Sequence, residues 1–244
     1  MEKVINFRPH RVLMISKTLS LALLLVTSMT SLAQRADSLA SLLDSVRNEQ
    51  RVKTLNLLSG EYVQSDPVRA FGYAREALNL ASEIGDQRGL AAAYNNLGVL
   101  YRSQGALDKS LDYYIKALHI YDTLQLKDSV TAKLGVASIK NNMANIYSLK
   151  KDNSLAAKYL EESHKLFIEL KDDRHIIGSL NNLGILYSDI DMDERAMQYF
   201  MEATSLGEKV GMQNSDSYNN VGNIFFGQGN FQRAVEFYEK ALKI

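Results

Sequence analysis

The chain has 244 residues, of which 46% are hydrophobic and 23% are charged, proportions typical of a folded globular protein. Its formal net charge is zero and the body of the chain has no basic run, so the composition gives no support to nucleic-acid binding. The absence of cysteine excludes disulfides, thiolate metal sites and thiol catalysis, and the presence of only two prolines, Pro9 and Pro67, favours an almost wholly helical chain.

The first 33 residues have the order of a secretory signal peptide. An apolar run from Leu19 to Val26 follows four basic residues, Lys3, Arg8, Arg11 and Lys17. Ser31 and Ala33 then offer the small side chains of a cleavage site. A membrane anchor is the alternative, but the apolar run is far shorter than the roughly 20 residues of a spanning helix. The leader therefore predicts cleavage between Ala33 and Gln34, a periplasmic or secreted protein, and no membrane span in the mature chain.

Residues 34–48 are predicted to form a short helix, over about 36–46, that precedes a repetitive body. Residues 94–101 of this body read Tyr-Asn-Asn-Leu-Gly-Val-Leu-Tyr. Residues 180–187 repeat the phrase closely, and residues 140–147 and 218–225 repeat it more loosely. A unit that recurs about every 40 residues cannot bury its apolar face alone. The units are therefore expected to stack on one another.

Each unit is predicted to be a pair of antiparallel helices. In the second unit, apolar residues recur at helical spacing over about 86–104 and again over about 107–124. Gly105 lies between these two helices, where a residue in the left-handed conformation ends a helix. In the first unit, Pro67 suits the first turn of the second helix, and Ser65 or Asp66 is expected to cap it.

Small side chains mark the place where the two helices of a unit are expected to cross. On the first helix these are Gly98, Ala144, Gly184 and Gly222, and on the second Ser110, Ala156, Ala196 and Ala234. A bulky residue follows four positions later, at Tyr114, Leu160, Phe200 and Tyr238. We expect a side chain larger than alanine to force the helices apart at this crossing, because protein interiors are close-packed.

These positions resemble the markers of the tetratricopeptide repeat (TPR) family, in which an aromatic residue, Leu-Gly and Tyr are followed by Ala, an aromatic residue and Ala. The resemblance implies an all-α fold, a right-handed superhelix of about five helix pairs. The implied units are about 49–85, 86–127, 128–172, 173–212 and 213–244, and the first unit matches least well. The long period and the missing terminal proline are similar to the repeats of kinesin light chains. The leader and the segment from Tyr62 to Tyr101 also resemble the sensory region of Bacteroidetes-type TPR signalling proteins.

An asparagine pair stands inside the first helix of four units, although asparagine costs roughly half a kcal/mol relative to alanine in a helix. The pairs are Asn95 and Asn96, Asn141 and Asn142, Asn181 and Asn182, and Asn219 and Asn220. One hypothesis is that these amides, with Asn145 and Asn223, line a concave groove and bond the backbone of an extended peptide. The resemblance implies this role for the second member of each pair, Asn96, Asn142, Asn182 and Asn220. The other hypothesis is that one amide of each pair bonds the neighbouring helix and only fixes the stacking.

Arg102 and Phe226 share one register on their helices and are further candidates for the groove. Other polar residues do not form a recognisable catalytic or metal site. His119 and His164 have no partner at metal-ligand spacing. The sequence has no phosphate loop, nucleophile elbow or zinc-protease motif. We therefore predict a protein that has no catalytic activity, metal or cofactor.

The sequence stops within the second helix of the last unit, where Phe237, Tyr238, Ala241 and Leu242 are predicted to be partly open. The chain could be a fragment of a longer protein, could associate end to end, or could end in a sufficiently amphipathic helix. The predicted function is an exported scaffold that binds a protein or an extended peptide in its groove. The alternative is an extracytoplasmic sensory input domain of a TPR-containing histidine kinase or transcriptional regulator.

Overall fold

The computed structural model describes residues 37–123 and 130–244, and every regular element within these ranges is a helix. A short helical segment covers residues 37–42. Ten helices follow it: α1 (Asn48–Tyr62), α2 (Pro67–Ile84), α3 (Gln87–Ser103), α4 (Leu107–Thr123), α5 (Val130–Leu149), α6 (Asn153–Leu170), α7 (Asp173–Asp189), α8 (Asp193–Val210), α9 (Ser215–Gly227) and α10 (Phe231–Ala241). The all-α fold class predicted from the repeats is confirmed. The predicted leader and its cleavage site lie outside the described residues.

Side-chain caps fix where several of these helices begin. Asp66 accepts a hydrogen bond of 3.1 Å from a backbone N–H in the first turn of α2, and Pro67 stands within that turn. Asp152 caps α6 and Asn230 caps α10 in the same way. Each cap satisfies an N–H group that the start of a helix leaves unpaired. Of the two caps predicted for α2, the structure uses Asp66 and not Ser65.

The turn inside each hairpin of residues 90–244 contains one residue in the left-handed conformation. Its φ angle is 74° at Gly105 and Gly229, 62° at Lys151 and 58° at Asp191. The prediction for Gly105 is confirmed. Glycine adopts this conformation without steric cost, whereas a residue with a Cβ atom loses roughly 1–2 kcal/mol. Lys151 and Asp191 therefore hold their turns at a cost that the two glycines avoid.

The two helices of a hairpin meet at the predicted crossing, but the tolerance there is tighter than predicted. A Cβ atom built on Gly98 would stand 2.4 Å from Cε1 of Tyr114. Even alanine is therefore too large at this position, because real Cβ atoms do not approach other atoms so closely. Ser110 stands in the alanine register of α4, and its buried hydroxyl donates a 2.7 Å hydrogen bond to the carbonyl oxygen of Gly98.

Aromatic pairs, stacked in the first three hairpins and tilted by 36° in the last, join the two helices of each hairpin in residues 90–244. The ring centroids of Tyr101 and Tyr113 are 5.3 Å apart, and the two rings are nearly parallel, with 6° between their planes. The same pair of positions recurs as Tyr147 with Tyr159, Tyr187 with Tyr199, and Phe225 with Phe237, at 5.5–5.6 Å. Offset aromatic pairs are worth roughly 0.5–1.5 kcal/mol beyond their burial, so each hairpin has a stabilising contact of its own.

The chain divides into two compact units, and the division falls inside α3, between Gly89 and Leu90. In residues 37–89 the core consists of the leucine and valine side chains of α1 packed with the alanines of α2: Val52, Leu55, Leu58, Ala70, Ala74, Ala77 and Ala81. In residues 90–244 the core contains larger side chains, among them Tyr114, Ile139, Leu183 and Phe200.

The end of the last helix is partly open, as predicted, except at Ala241. Leu242 is 81% exposed, as expected for an uncovered outer face, whereas Ala241 is only 8% exposed because it lies on the inner side of the helix end. Phe237 and Tyr238 are half-buried, since each packs on an aromatic or glycine of α9. Among the residues that the structure describes, none of the helices has the combined length and hydropathy of a membrane span.

Candidate functional site

Hydrogen bonds between asparagine side chains join the first helices of successive hairpins. The Asn142 side-chain amide on α5 donates to Oδ1 of Asn95 on α3, at 3.1 Å. The Asn182 amide on α7 donates in the same way to Oδ1 of Asn141 on α5, at 2.8 Å. In both cases the first member of one pair bonds the second member of the next pair. These contacts have the geometry that the stacking hypothesis requires.

Each of these two asparagine–asparagine hydrogen bonds is called an amide rung here. Each rung leaves hydrogen-bonding capacity unused. An asparagine amide offers two N–H donors and an acceptor oxygen, and one rung uses a single donor and a single acceptor. Within the described residues, the NH₂ groups of Asn95 and Asn141 donate no hydrogen bond. The Oδ1 atoms of Asn142 and Asn182 accept none. All four residues are half-buried, so water or a ligand can reach them. A donor and an acceptor therefore recur together at successive helices, the combination that a peptide backbone presents.

The row of asparagine–asparagine hydrogen bonds is interrupted between α7 and α9. Asn181 donates to the hydroxyl of Ser217, at 2.7 Å, and not to an amide of the last pair. Asn181 is 6% exposed, and its Oδ1 atom is buried without a hydrogen-bond partner. The residue that continues the register on α9 is Asn220, which is half-buried and whose side chain makes no hydrogen bond within the described residues. The third rung, which would join Asn181 to Asn220, therefore lacks its hydrogen bond and is called the open rung.

The remaining predicted groove residues have different surroundings. Asn96 and Asn145 are half-buried on α3 and α5, and Asn219 is exposed on α9. Asn223 is exposed, and its Oδ1 atom accepts a 2.8 Å hydrogen bond from the hydroxyl of Tyr238. Phe226 is 59% exposed and meets the ring of Phe231 edge to face, at 5.4 Å.

Arg102 does not reach freely into solvent. It is half-buried, and its Nε atom is buried without a partner. Burial raises the pKa of the neighbouring Tyr114 phenol, and the positive charge of Arg102 opposes that rise. The guanidinium group therefore lies near the Tyr114 phenol, whose ring packs on Gly98.

A hydrogen bond from Tyr218 also joins α9 to α8. The hydroxyl of Tyr218 donates to Oε1 of Glu208, at 2.7 Å. Burial, with the hydrogen bond and negative charge of Glu208, raises the pKa of Tyr218 to about 12. The phenol therefore stays protonated at alkaline pH as well, and its hydrogen bond joins the start of α9 to α8.

A cleft of about 380 Å³ adjoins the open rung. It lies between the end of α7, the turn into α8 and one face of α9, and it is lined in part by Asp189, Asp191, Asp193, Asn220 and Asn223. The three carboxylates were not among the predicted site residues. A comparison of the hairpin turns along the sequence would have singled out Asp191, because glycine or lysine holds its place in the other turns of residues 90–244. Within the described residues, no group of three or more histidines and carboxylates is arranged to hold a metal ion.

Family models described as tetratricopeptide repeat match residues 53–123, 135–209 and 215–244. Among curated proteins, the response regulator aspartate phosphatase A of Bacillus subtilis is 24% identical over 200 residues, which are 78% of this chain and 48% of that protein. The chain therefore spans about half the length of the curated relative that it matches.

Solved structures with the same arrangement include BtubC (BKLC) from P. vanneervenii, with a TM-score of 0.67, 26% identity and coverage of 88% of each chain. The apo form of RapI has a TM-score of 0.61 at 16% identity, over 86% of this chain and 58% of that one. A kinesin light chain with TPR-like repeats from Podosopora anserina has a TM-score of 0.60 at 13% identity, over 81% of this chain and 96% of that one. At these low identities the last two similarities show a shared fold.

Proposed function

Because the chain belongs to the tetratricopeptide repeat family, we propose that it is a non-catalytic scaffold that binds an extended protein segment along α3, α5, α7 and α9. The observation that carries the proposal is the recurrence of an unused amide donor and an unused amide oxygen at each closed rung. A peptide backbone presents one N–H and one C=O per residue, so each rung can bond one backbone position. Two good hydrogen bonds per rung would hold a segment without requiring a particular side chain.

The spacing of the rungs supports this fit. Packed helices lie roughly 8–10 Å apart, and an extended chain rises about 3.3 Å per residue. About every third residue of a bound segment would then meet a rung. Four first helices, separated by three such steps, would engage a segment of about ten residues.

A displayed library of random peptides of about this length, panned on the purified full-length chain, provides the first test. Enriched peptides would then be synthesised with a fluorophore and their affinity measured by fluorescence anisotropy. We expect Asn142→Ala with Asn182→Ala to weaken binding roughly tenfold or more, since each lost hydrogen bond is worth about 0.5–1.5 kcal/mol. A thermal melt of the same variant shows how much of the loss comes from damaged stacking.

Asn79→Ala is the matched control, because Asn79 is an exposed asparagine on α2, a helix that carries none of the asparagine pairs. It should leave peptide affinity unchanged. Peptides that bind the double variant as tightly as the parent chain would overturn the proposed role of the rungs. A lowered melting temperature with unchanged affinity would assign these amides to stacking alone.

Export from the cytoplasm is a further part of the proposal, supported by the leader sequence. The apolar run from Leu19 to Val26 after a basic start, with Ser31 and Ala33 at the end, suits recognition and cleavage by a signal peptidase. Sequencing the N-terminus of the protein made in its natural host tests this directly. A mature N-terminus at Gln34 supports export, and an intact Met1 contradicts it.

A phosphatase activity is the second candidate, because the name of the Bacillus subtilis relative includes one. The test is to incubate the purified chain with a phosphorylated receiver domain of a response regulator and to follow the aspartyl phosphate. An unchanged rate of aspartyl-phosphate loss agrees with a non-catalytic scaffold. A loss that accelerates in proportion to added chain would contradict the non-catalytic part of the proposal.

The sensory alternative requires that peptide binding alters a linked output domain. This is checked by fusing the chain to such a domain and measuring the response of that domain to the selected peptides.

A further inference from the structure

We infer that the bound segment is asymmetric, with an acidic side chain at the α3 end and an apolar side chain about eight residues away at the α9 end. The inference rests on the proposed function and specifies which segments bind. It comes from the residue that directly follows the repeated phrase in each hairpin of residues 90–244. These four residues, called the flanking row, are Arg102 on α3, Ser148 on α5, Ser188 on α7 and Phe226 on α9.

The flanking row lies beside the asparagine pairs. Arg102 follows Asn95 by seven residues, which is about two turns, so the two share a face of α3 and are about 10 Å apart along its axis. Further along the stack, Ser188 and Asn220 line the same cleft of about 380 Å³. Successive side chains of an extended segment point to opposite sides. One side of a segment held by the asparagine amides can therefore contact the flanking row.

Arg102 is a positive charge that lacks a carboxylate partner. Its side chain is half-buried, and it forms no ion pair within the described residues. Its Nε atom is buried without a hydrogen-bond partner, as is the hydroxyl of the neighbouring Tyr114, a residue with 0% exposure. A partly buried charge without a partner is unfavourable. A carboxylate of the bound segment would neutralise it, and arginine bonds carboxylates with two parallel N–H donors.

The other basic residues of α3, α5, α7 and α9 have different surroundings. Both lysines of α5 form ion pairs with glutamates of α6, at 3.6 and 2.6 Å. Arg88 and Arg174, near the starts of α3 and α7, are exposed and can be hydrated by water. On these four helices, all within the described residues, Arg102 is thus the lysine or arginine that is both half-buried and unpaired.

The opposite end of the flanking row is apolar. Phe226 is 59% exposed, and it meets the equally exposed Phe231 edge to face, with 5.4 Å between the ring centroids. An apolar side chain of the segment that covers these rings would remove hydrophobic surface from water. Ser148 and Ser188, which lie between the two ends, are half-buried and uncharged, so they select neither charge nor bulk.

The separation of the two ends sets the spacing in the segment. Three helix-to-helix steps of roughly 8–10 Å lie between α3 and α9, and an extended chain rises about 3.3 Å per residue. About eight residues therefore separate the acidic and the apolar side chain. An even separation also places both side chains on the same side of an extended segment.

Fluorescein-labelled peptides test this spacing by fluorescence anisotropy on the full-length chain. Each peptide has glutamate and leucine about eight positions apart, with serine elsewhere, and both orders are made. The better of the two orders should bind at least roughly threefold more tightly than the same peptide with glutamine for glutamate or with serine for leucine. A peptide with half that separation should bind no better than a peptide with only one of the two residues.

Substitutions in the chain assign the two preferences. Arg102→Gln should abolish the preference for glutamate over glutamine and leave the preference for leucine over serine, and Phe226→Ser should do the reverse. Each readout is a ratio between two peptides on one chain, so a general loss of stability alters both affinities alike. Arg75→Gln and Val68→Ser, which remove an exposed arginine and an exposed apolar side chain from α2, should leave both ratios unchanged.

Equal affinity for the glutamate and glutamine peptides would overturn the inference, and so would a glutamate preference that survives Arg102→Gln. If library-selected peptides bind but the two designed residues make no difference, the scaffold proposal stands and the flanking row selects nothing. If neither selected nor designed peptides bind, the proposed function itself is wrong.

Discussion

The ring of Phe200 lies directly against the backbone of Gly184, so that a Cβ atom on the glycine would stand 2.4 Å from Phe200 Cε1. The same relationship recurs between Gly222 and Tyr238, at 2.5 Å. In the hairpin of α5 and α6, both positions change together to Ala144 and Leu160, which share one core cluster. A larger residue on the first helix is thus accompanied by a narrower one on the second. Each crossing functions as a matched pair.

Gly184→Ala should lower the free energy of unfolding by roughly 1–3 kcal/mol, because the new methyl group overpacks the contact with Phe200. In a Phe200→Leu background, the same substitution should cost less than about 0.5 kcal/mol, since the pair then matches Ala144 with Leu160. Urea unfolding of the four chains measures the coupling.

Gly178→Ala is the control for the glycine substitution, because Gly178 lies in the same helix and a Cβ there would meet nothing within 4 Å. It should stabilise the helix by roughly 0.5–1 kcal/mol. An equal loss of stability from both alanine substitutions would show that contact with Phe200 is not the cause.

Lys151→Gly should raise the free energy of unfolding by about 1 kcal/mol, because it removes a Cβ atom from the left-handed conformation. The reciprocal substitution, Gly105→Lys at the same place in the preceding turn, should lower it by a similar amount. Thermal melts of the two variants provide the comparison. Two changes of the same sign would contradict this account of the turns.

The stability of the chain should fall on acidification through His164. Its Nδ1 atom lies 2.7 Å from the hydroxyl oxygen of Ser179, which itself donates to the carbonyl of Ile176. Nδ1–H is therefore the donor. Burial lowers the pKa of His164, and the charge of Glu202 opposes that effect. The unfolded chain thus takes up this proton first, so the stabilisation is complete above the unfolded pKa of about 6.5 and decreases as the pH falls below it.

His164→Gln tests this pH dependence, because glutamine can donate to Ser179 and does not titrate. The measurement is the free energy of unfolding at neutral pH and at about one to two pH units below 6.5. The variant should lose less stability over this interval than the parent chain. His119→Gln, at an exposed position, should retain the parent's dependence. A parent-like profile for His164→Gln would show that another group is responsible.

A double-mutant cycle on Asn95 and Asn142 should give a coupling of roughly 0.5–1.5 kcal/mol, the net value of one hydrogen bond. The cycle uses alanine at each position and at both, with urea unfolding as the measurement. Asn145→Ala combined with Asn95→Ala should show little coupling, since the Asn145 side chain makes no hydrogen bond with Asn95 or Asn142. Zero coupling between Asn95 and Asn142 would mean that the rung contributes nothing to stacking.

The hairpins and their crossings could be predicted because they depend on local chemistry. Gly105 marks a turn through its backbone freedom, and Gly98 marks a crossing through its size. The equivalent turns at Lys151 and Asp191 gave a weaker signal, since lysine disfavours the left-handed conformation and aspartate adopts it only occasionally. They could be placed only by counting along the repeat.

The candidate site was predicted less completely. The spacing of the asparagine pairs placed them on one face, but it could not show that Asn142 would bond Asn95 while Asn181 turns to Ser217. Amide orientation depends on which partner lies closest across the helix interface, and single-sequence reasoning does not supply that distance. The acidic cleft was missed for a similar reason, because its carboxylates come from two helices and a turn.

The stacked aromatic pairs provide positions for a fluorescent tryptophan reporter. The chain has 13 tyrosines and no tryptophan, so one indole introduced at Tyr159 or Tyr199 would dominate the emission and report on a single hairpin. In repeat arrays each hairpin depends mainly on its nearest neighbours, and melting can spread from one end. Two such reporters, compared in separate chains, would reveal whether the hairpins of residues 90–244 open together or one after another.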